Sequence, residues 1–295
     1  MHTYFTSKYK LVCEACGLTI LEEETTLNCT ICGGPLVVNN AQTKSHFHQS
    51  LESEDNLLLK QQHDYQWDCS KLSPESKDAV LSHHEQLQSI TQDGFGTKDV
   101  SFSKDKLEVA LSTSTHVALL KHQLTGIIGG FAFYFISDEP LLVGKYAYIN
   151  KVCVSKIIQG RGYSYELAKE ILSDRGIAWL GARTQNPQLI KVLTKYASLT
   201  YPLDVTYDKV DGKAILSFIR NFIPQVNQSS NSQMDSVTGI CKNYYGNRLG
   251  DFPITPTVNF IEQRLAEMSF SRVQGDAVLI SAFINHKSIS GNVQR

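Results

Sequence analysis

The residues with the clearest capacity for chemistry form a short run, Gln159-Gly160-Arg161-Gly162-Tyr163-Ser164. It follows the apolar stretch Val152-Cys153-Val154 and precedes Tyr165-Glu166-Leu167-Ala168. Glycine lets a backbone approach a ligand closely and turn its amides outward, and a helix opening directly afterwards adds the positive end of its dipole. Apolar residues at 167, 168, 171 and 172 give that helix a face to bury. Strand, two-glycine loop and helix together make a cradle for a pyrophosphate. The run has no Gly-Lys-Ser/Thr of a Walker loop, and Tyr165 stands where a dinucleotide fingerprint needs its third glycine. A plain tight turn is the alternative reading of the two glycines.

A second constellation lies near the amino terminus: Cys13-Glu14-Ala15-Cys16-Gly17 and Cys29-Thr30-Ile31-Cys32-Gly33-Gly34. Each C-x-x-C puts two thiolates on one turn, and the glycines behind them let the backbone fold back toward the sulfurs. Two such turns close a tetrahedral S₄ site. The pattern resembles a zinc ribbon over residues 8–40, with a short hairpin in Leu18 to Leu27 and Cys13, Cys16, Cys29 and Cys32 as zinc ligands. Iron in a rubredoxin-like site, two disulfides and a redox pair are the alternatives; disulfides are disfavoured inside cells. Four protein ligands leave no open position, so the metal is structural. Cys69, Cys153 and Cys241 stand alone and read as small buried hydrophobes.

Charge sorts these two regions. Over 295 residues the net charge is −1, but residues 1–40 carry −2, 41–100 carry −5, 101–220 carry +5 and the remainder +1. An acidic ribbon without Arg is a poor phosphate footprint, which argues against nucleic acid and for docking onto a protein partner or onto the rest of the chain. The basic block holds the glycine loop and suits a polyanionic ligand. With 19% charged and 9% aromatic residues the chain is neither disordered nor collagenous. The longest apolar stretch, Gly126 to Ile136, is too short to span a bilayer, and the first residues lack a signal pattern. A soluble cytoplasmic protein without membrane contact is the expectation.

The elements that must position these residues follow from pattern. Residues 41–68 read as a polar linker, partly helical near Leu57–Gln62, with His46 and His48 exposed. Ser73-Pro74-Glu75 opens a helix that runs to about Ile90 and carries His83 and His84 on its surface. Val117–Lys121 and Ile127–Ile136 are strands joined by a turn at Gln123–Gly126, and Tyr146–Val154 is a third. A helix over Tyr163–Leu172, a strand over Ile177–Ala182 and a helix over Pro187–Tyr196 follow. Further on come a helix over Lys213–Phe222, a flexible connection at Asn227–Ser232, and strands at Val237–Cys241 and Ala277–Ile284. The order makes a mixed α+β sheet over 69–295.

The run Gln159-Gly-Arg-Gly-Tyr-Ser164 behind Val152-x-Val154 resembles the Gln/Arg-x-x-Gly-x-Gly/Ala signature of the GNAT family of N-acetyltransferases. Ser164 stands where Gly or Ala is usual. Ile177 to Asn186-Pro187 resembles that family's fifth strand and its Asn-headed helix. The resemblance implies a mixed-sheet acyltransferase fold over 69–295 that takes acetyl-CoA and acylates an amine by direct attack on the thioester. It further implies a splayed strand pair, Lys151–Val154 and Trp179–Ala182, between which the pantetheine arm lies. Backbone groups of Val152 and Val154 would hold the thioester and pantetheine. The amides of Gln159, Gly160, Arg161, Gly162, Tyr163 and Ser164 would hold the pyrophosphate, with Lys156 beside them and Asn186 at the head of the next helix. The family often carries a Glu as base on the fourth strand; here Asn150 occupies that place and can only position a water. Its acid is commonly a Tyr seven residues beyond the Asn, which here is Leu193; Tyr196 is the candidate, displaced along the helix. The acceptor is a small-molecule or protein amine. A catalytically silent acyl-CoA sensor, whose ribbon recruits a partner, is the other reading of the same residues. For the acceptor side, Phe131 to Phe135 reads as core, Tyr244-Tyr245-Gly246-Asn247-Arg248 as a lid or surface loop, and His116 and His122 as structural or exposed.

Overall fold

The computed structural model of the chain describes the backbone of residues 10–13, 19–21 and 36–38, and then residues 64–96, 100, 102–138, 144–174, 176–203, 234–235, 238–250, 252 and 255–284. Cys16, Cys29, Cys32, His46, His48, the expected helices near 57–62 and 213–222 and the connection 227–232 lie outside the described residues. The chain divides into two units, Met1–Gln49 and Ser50–Arg295.

In the first unit β1 (Lys10–Cys13), β2 (Thr19–Leu21) and β3 (Leu36–Val38) form an antiparallel sheet in the order β2-β1-β3. The hairpin described joins β1 to β2 across residues 14–18, rather than lying within Leu18 to Leu27, of which 22–27 are outside the described residues. Cys13, the last residue of β1, pairs with Leu36, four positions after Cys32.

The second unit is built on β4 (Tyr65–Lys71), β5 (His116–His122), β6 (Ile128–Ile136), β7 (Lys145–Val154), β8 (Ile177–Thr184), β9 (Ala197–Tyr201), β10 (Ile240–Cys241) and β11 (Ala277–Ile284). They form one mixed sheet, β10-β11-β8-β7-β6-β5-β4, with β9 also on β11; β7 and β8 run parallel and the other neighbours antiparallel. β4 begins inside the stretch read as linker. Its polar-apolar alternation leaves Trp67 as the only buried residue, a weak signal in a polar region.

Six helices are described: α1 (Pro74–Ser82), α2 (His84–Phe95), α3 (Lys104–Ser112), α4 (Tyr163–Ile171), α5 (Pro187–Lys195) and α6 (Pro256–Glu267). The Ser73-Pro74 signal holds: the Ser73 hydroxyl accepts from Ser76 N, while Ser76 Oγ accepts from Ser73 N. The single helix expected to Ile90 is interrupted at His83, which leaves the helical conformation at φ −91°, ψ 8°. His83 is exposed, whereas His84 is half-buried with Nε2 3.1 Å from Phe102 O.

The helices cover both faces. On one, Leu87 and Ile90 of α2 and Leu107 and Leu111 of α3 pack with Val117, Leu119, Phe131, Phe133 and Cys153. Alternation turns Ala118 and Leu120 the other way, together with Trp67, whose indole N–H donates to Tyr163 O of α4 at 2.7 Å. The first face continues past β7 as a second cluster: Tyr146, Tyr148, Trp179, Cys241 and Leu279, with Tyr244 and Tyr245 packed against it.

Candidate active site at a strand bulge and glycine loop

The register of β7 makes the site. Tyr134 of β6 pairs with Ile149, but its neighbour Phe133 pairs with Lys151, so Asn150 is an extra residue: a β-bulge. Parallel pairing with β8 ends at Ile149–Ala182. Beyond it, Lys151–Val154 stay on β6, while Arg183 and Thr184 stay on β11, opposite Leu279 and Val278. The strands part at that point. The arm expected at Lys151–Val154 is correct, but Trp179–Ala182 is the paired portion; the opening begins at Arg183.

Backbone directions follow from alternation. Ser155 N donates to Gly129 O at 2.8 Å, so Cys153 faces β6, and the N–H and C=O of Val152 and the N–H of Val154 face the opening, while Val154 O is taken by Gln159 Nε2. On the other arm Leu279 N donates to Gly239 O, away from β8, so the N–H and C=O of its partner Arg183 also face the opening. Two tyrosines meet them. The Tyr245 hydroxyl donates to Arg183 O at 3.2 Å, and the Arg183 amide donates to the Tyr148 hydroxyl. Sequence reading assigned no role to Tyr148 or Arg183, since only the splay gives their positions meaning. Burial pushes both phenols far up, so both stay protonated.

Arg183 is 6% exposed, and its guanidinium lies 4.4 Å from the Tyr244 ring centre. Tyr244–Leu249 is a surface loop, exposed at Gly246–Arg248 and tied down at its base. Gln185 Nε2 donates to Asn247 O at 3.1 Å and its Oε1 accepts from Leu249 N at 2.9 Å, which fastens the segment along the end of β8.

From β7 the chain passes through a turn at Lys156–Ile158 into Gly160 at φ +79° and Gly162 at φ +89°. Both are left-handed conformations that side chains resist. Gly162 is the N-cap residue of α4, its carbonyl accepting from Tyr165 N and Glu166 N. The amides of Gly160, Arg161, Gly162 and Ser164 meet no acceptor among the described residues. Unengaged amides beside the head of a helix are the elements from which an anion site can be built. Gln159 behaves differently from its neighbours: its Nε2 donates to Val154 O at 2.8 Å and to Gly94 O at 2.9 Å, so its side chain holds the loop.

The remaining candidates are not all gathered at the opening. Asn150 Nδ2 donates to Thr113 Oγ1 at 2.9 Å and lies 3.4 Å from Ser114 Oγ. Tyr196 is buried at the C-cap of α5, with the Lys195 ammonium 5.5 Å from its ring; Leu193 is fully buried. Asn186 caps α5 through Oδ1, which accepts from Gln188 N at 2.9 Å. Lys151, one residue beyond the bulge, has an exposed side chain, yet its ammonium sits 5.0 Å over the Phe102 ring with protein on most sides. That desolvation, with the charge of Lys106, lowers its pKa. His116 stacks at 5.1 Å on Tyr134, the β6 residue opposite Ile149, and His122 meets Tyr65 edge-on at 5.0 Å. No helix among the described residues is long and apolar enough to cross a membrane.

No protein-family model matches the chain, and no curated protein matches it significantly. Solved structures with a similar arrangement include arylalkylamine N-acetyltransferase 2 from Aedes aegypti (13% identity, 48% of this chain and 88% of that chain, TM-score 0.33). Another is an aminoglycoside acetyltransferase from an uncultured soil metagenomic sample, in complex with sisomicin (14%, 41% and 78%, TM-score 0.32). A third is a GNAT family acetyltransferase from Brucella melitensis in complex with acetyl-CoA (16%, 41% and 76%, TM-score 0.27). At this level of likeness the chain's own residues decide the chemistry.

Proposed function

We propose that the chain is an N-acyltransferase that takes acetyl-CoA as its acyl donor and acylates an amine. The observation that carries this is the bulge at Asn150, where pairing of β7 with β8 ends, followed in the chain by a loop of unengaged amides. A polyphosphate with a long amide-bearing arm matches both features at once. The amides of Gly160, Arg161, Gly162 and Ser164 take the pyrophosphate, Arg161 and Lys156 add positive charge, and the backbone of Val152 bonds the pantetheine amides. Bound acetyl-CoA supplies a thioester, whose carbonyl carbon accepts the amine as the thiolate leaves. Asn150 positions a water at the bulge, and the amine must arrive neutral or lose its proton to that water. Tyr196 is the acid of the family resemblance; its burial under Lys195 on α5 makes Tyr148, at the opening itself, the comparison variant for that role.

The silent-sensor reading has one observation in its favour: Asn150 cannot take a proton, and its amide nitrogen already bonds Thr113. The amino-terminal unit is read as a zinc ribbon in either case. Supporting it, β1 ends on Cys13 beside Leu36, so the chain leaving the second cysteine pair runs next to the first.

Calorimetric titration with acetyl-CoA tests the donor site. Saturable binding by the wild type and its loss in Gly160→Asp and Gly162→Asp is expected, because each variant puts a carboxylate into that loop. Absence of wild-type binding removes the proposal. Turnover with a library of amines separates enzyme from sensor: release of free CoA with no amine in the library leaves only the sensor.

A further inference from the structure

The last turn of α2 grips the β7–α4 connection from outside the sheet. Asp93 Oδ2 accepts from the Ser155 hydroxyl at 2.5 Å and from Lys156 N at 2.8 Å. One residue on, Gly94 O accepts from Gln159 Nε2, which also bonds Val154 O. Two consecutive residues of α2 thereby fix 154, 155, 156 and 159, every anchor falling before Gly160. The contact is close. A Cβ on Gly94 would stand 2.6 Å from Cys153 Sγ and 2.8 Å from Val154 O, so no side chain fits between α2 and β7. Cys153 Sγ in turn lies 3.5 Å from Ile90 O, one helical turn back.

The choice of an aspartate here is electrostatically odd. A carboxylate at a helix C-terminus opposes the dipole, and the residues this one binds, Ser155 and Lys156, lie only eight and seven positions before a helix N-terminus read as an anion site. What it supplies in return is geometry. A charged acceptor makes short, strong hydrogen bonds, and two donors from adjacent residues converge on one oxygen. The turn at 155–156 is then held with its amide directed to Asp93, and the chain beyond must emerge toward Gly160 with its own amides pointing elsewhere. We propose that Asp93 is a positioning residue for the anion loop: through Ser155 and Lys156 it orients the Gly160–Ser164 amides, raising affinity for the pyrophosphate despite its own negative charge. This rests on the reading of that loop as the acyl-CoA phosphate site.

Charge and geometry predict opposite signs, which makes the test decisive. If Asp93 acts only as a nearby charge, Asp93→Asn removes a repulsion and CoA binds more tightly. If it orients the loop, Asp93→Asn, whose neutral amide oxygen is a weaker acceptor, and Ser155→Ala weaken CoA binding, by up to about tenfold for each charge-assisted hydrogen bond weakened or lost. Affinities for CoA and for acetyl-pantetheine, which has no pyrophosphate, are measured by calorimetry on the full chain, with thermal unfolding of each variant alongside. The expected result is a loss confined to CoA, with acetyl-pantetheine affinity unchanged. Ser155→Ala keeps the helix and its carboxylate and serves where Asp93→Asn folds poorly. Unchanged or tighter CoA binding overturns the assignment, as does an equal loss for both ligands. A wild type that binds CoA no better than acetyl-pantetheine instead removes the phosphate-site reading, and this inference with it.

Discussion

The hydroxyl of Tyr245 donates to the carbonyl of Arg183 across 3.2 Å, on the side of β8 that β7 has vacated. Splaying two strands leaves a row of backbone donors and acceptors without a ladder partner, and buried groups of that kind are costly. Here the first pair is met by side chains, Tyr245 on the carbonyl and Tyr148 on the amide. The opening is therefore stable at its inner end and available for a ligand only farther out.

Removing these hydroxyls has a size that follows from their partners. Tyr245→Phe should lower unfolding free energy by about 1 kcal/mol, and Tyr148→Phe by about 1–3 kcal/mol because the donor it abandons is buried. Urea denaturation with unchanged m-value checks both. Equal stability of the two variants and the wild type would show that water replaces the phenols.

Acid should unfold the chain in part through Asp276. Burial alone would raise its carboxyl, but hydrogen bonds from Lys242 Nζ at 2.8 Å, Asn243 N at 3.0 Å and Ser271 N at 2.8 Å outweigh it and leave the pKa below 3.8. A depressed folded pKa means stability that is complete above the unfolded value and lost as pH falls through the folded one. The expected signature is a decline of stability below about pH 4. Asp276→Asn, less stable at neutral pH, should show a flatter decline; a parallel decline would place the acid sensitivity elsewhere.

The isolated thiols should be inert in the folded chain. Burial pushes Cys153 up to about 12 and Cys69 up to about 11, with Tyr134 donating to the latter in partial compensation. At pH 8 the thiolate fractions are roughly 10⁻⁴ and 10⁻³. Mass spectrometry after iodoacetamide treatment should find both unmodified until denaturant is added. Rapid labelling of Cys153 in native buffer would mean that α2 lifts from β7.

Metal analysis decides the ribbon. One zinc per chain is expected by elemental mass spectrometry, falling away in Cys16→Ser and Cys29→Ser. Iron in the same ratio, with the visible absorption of a thiolate complex, would assign the rubredoxin-like alternative.

What could be read from sequence were features with a local cause. Ser73-Pro74 and Asn186-Pro187 announce helices because capping and proline chemistry act within three residues. Thr255-Pro256 carries the same signal for α6, and Ser103 caps α3, yet neither stands beside an apolar run strong enough to draw attention. β4 escaped because one buried tryptophan in a polar stretch does not look like a strand. The glycine loop was visible for the same local reason, since positive φ selects glycine. The bulge at Asn150, the pairing of Asp93 with Ser155 and the two tyrosines on Arg183 were not. Each is a relation between positions 15 to 62 residues apart, and no single segment carries its trace.

The extra residue in β7 also changes which residues speak to which neighbour. Before it, the odd-numbered backbone groups of β7 face β8; after it, they face β6. The duty of lining the opening therefore passes to the even-numbered residues, and a deletion or insertion in Lys151–Val154 would exchange the groups offered to a ligand for those already spent on β6.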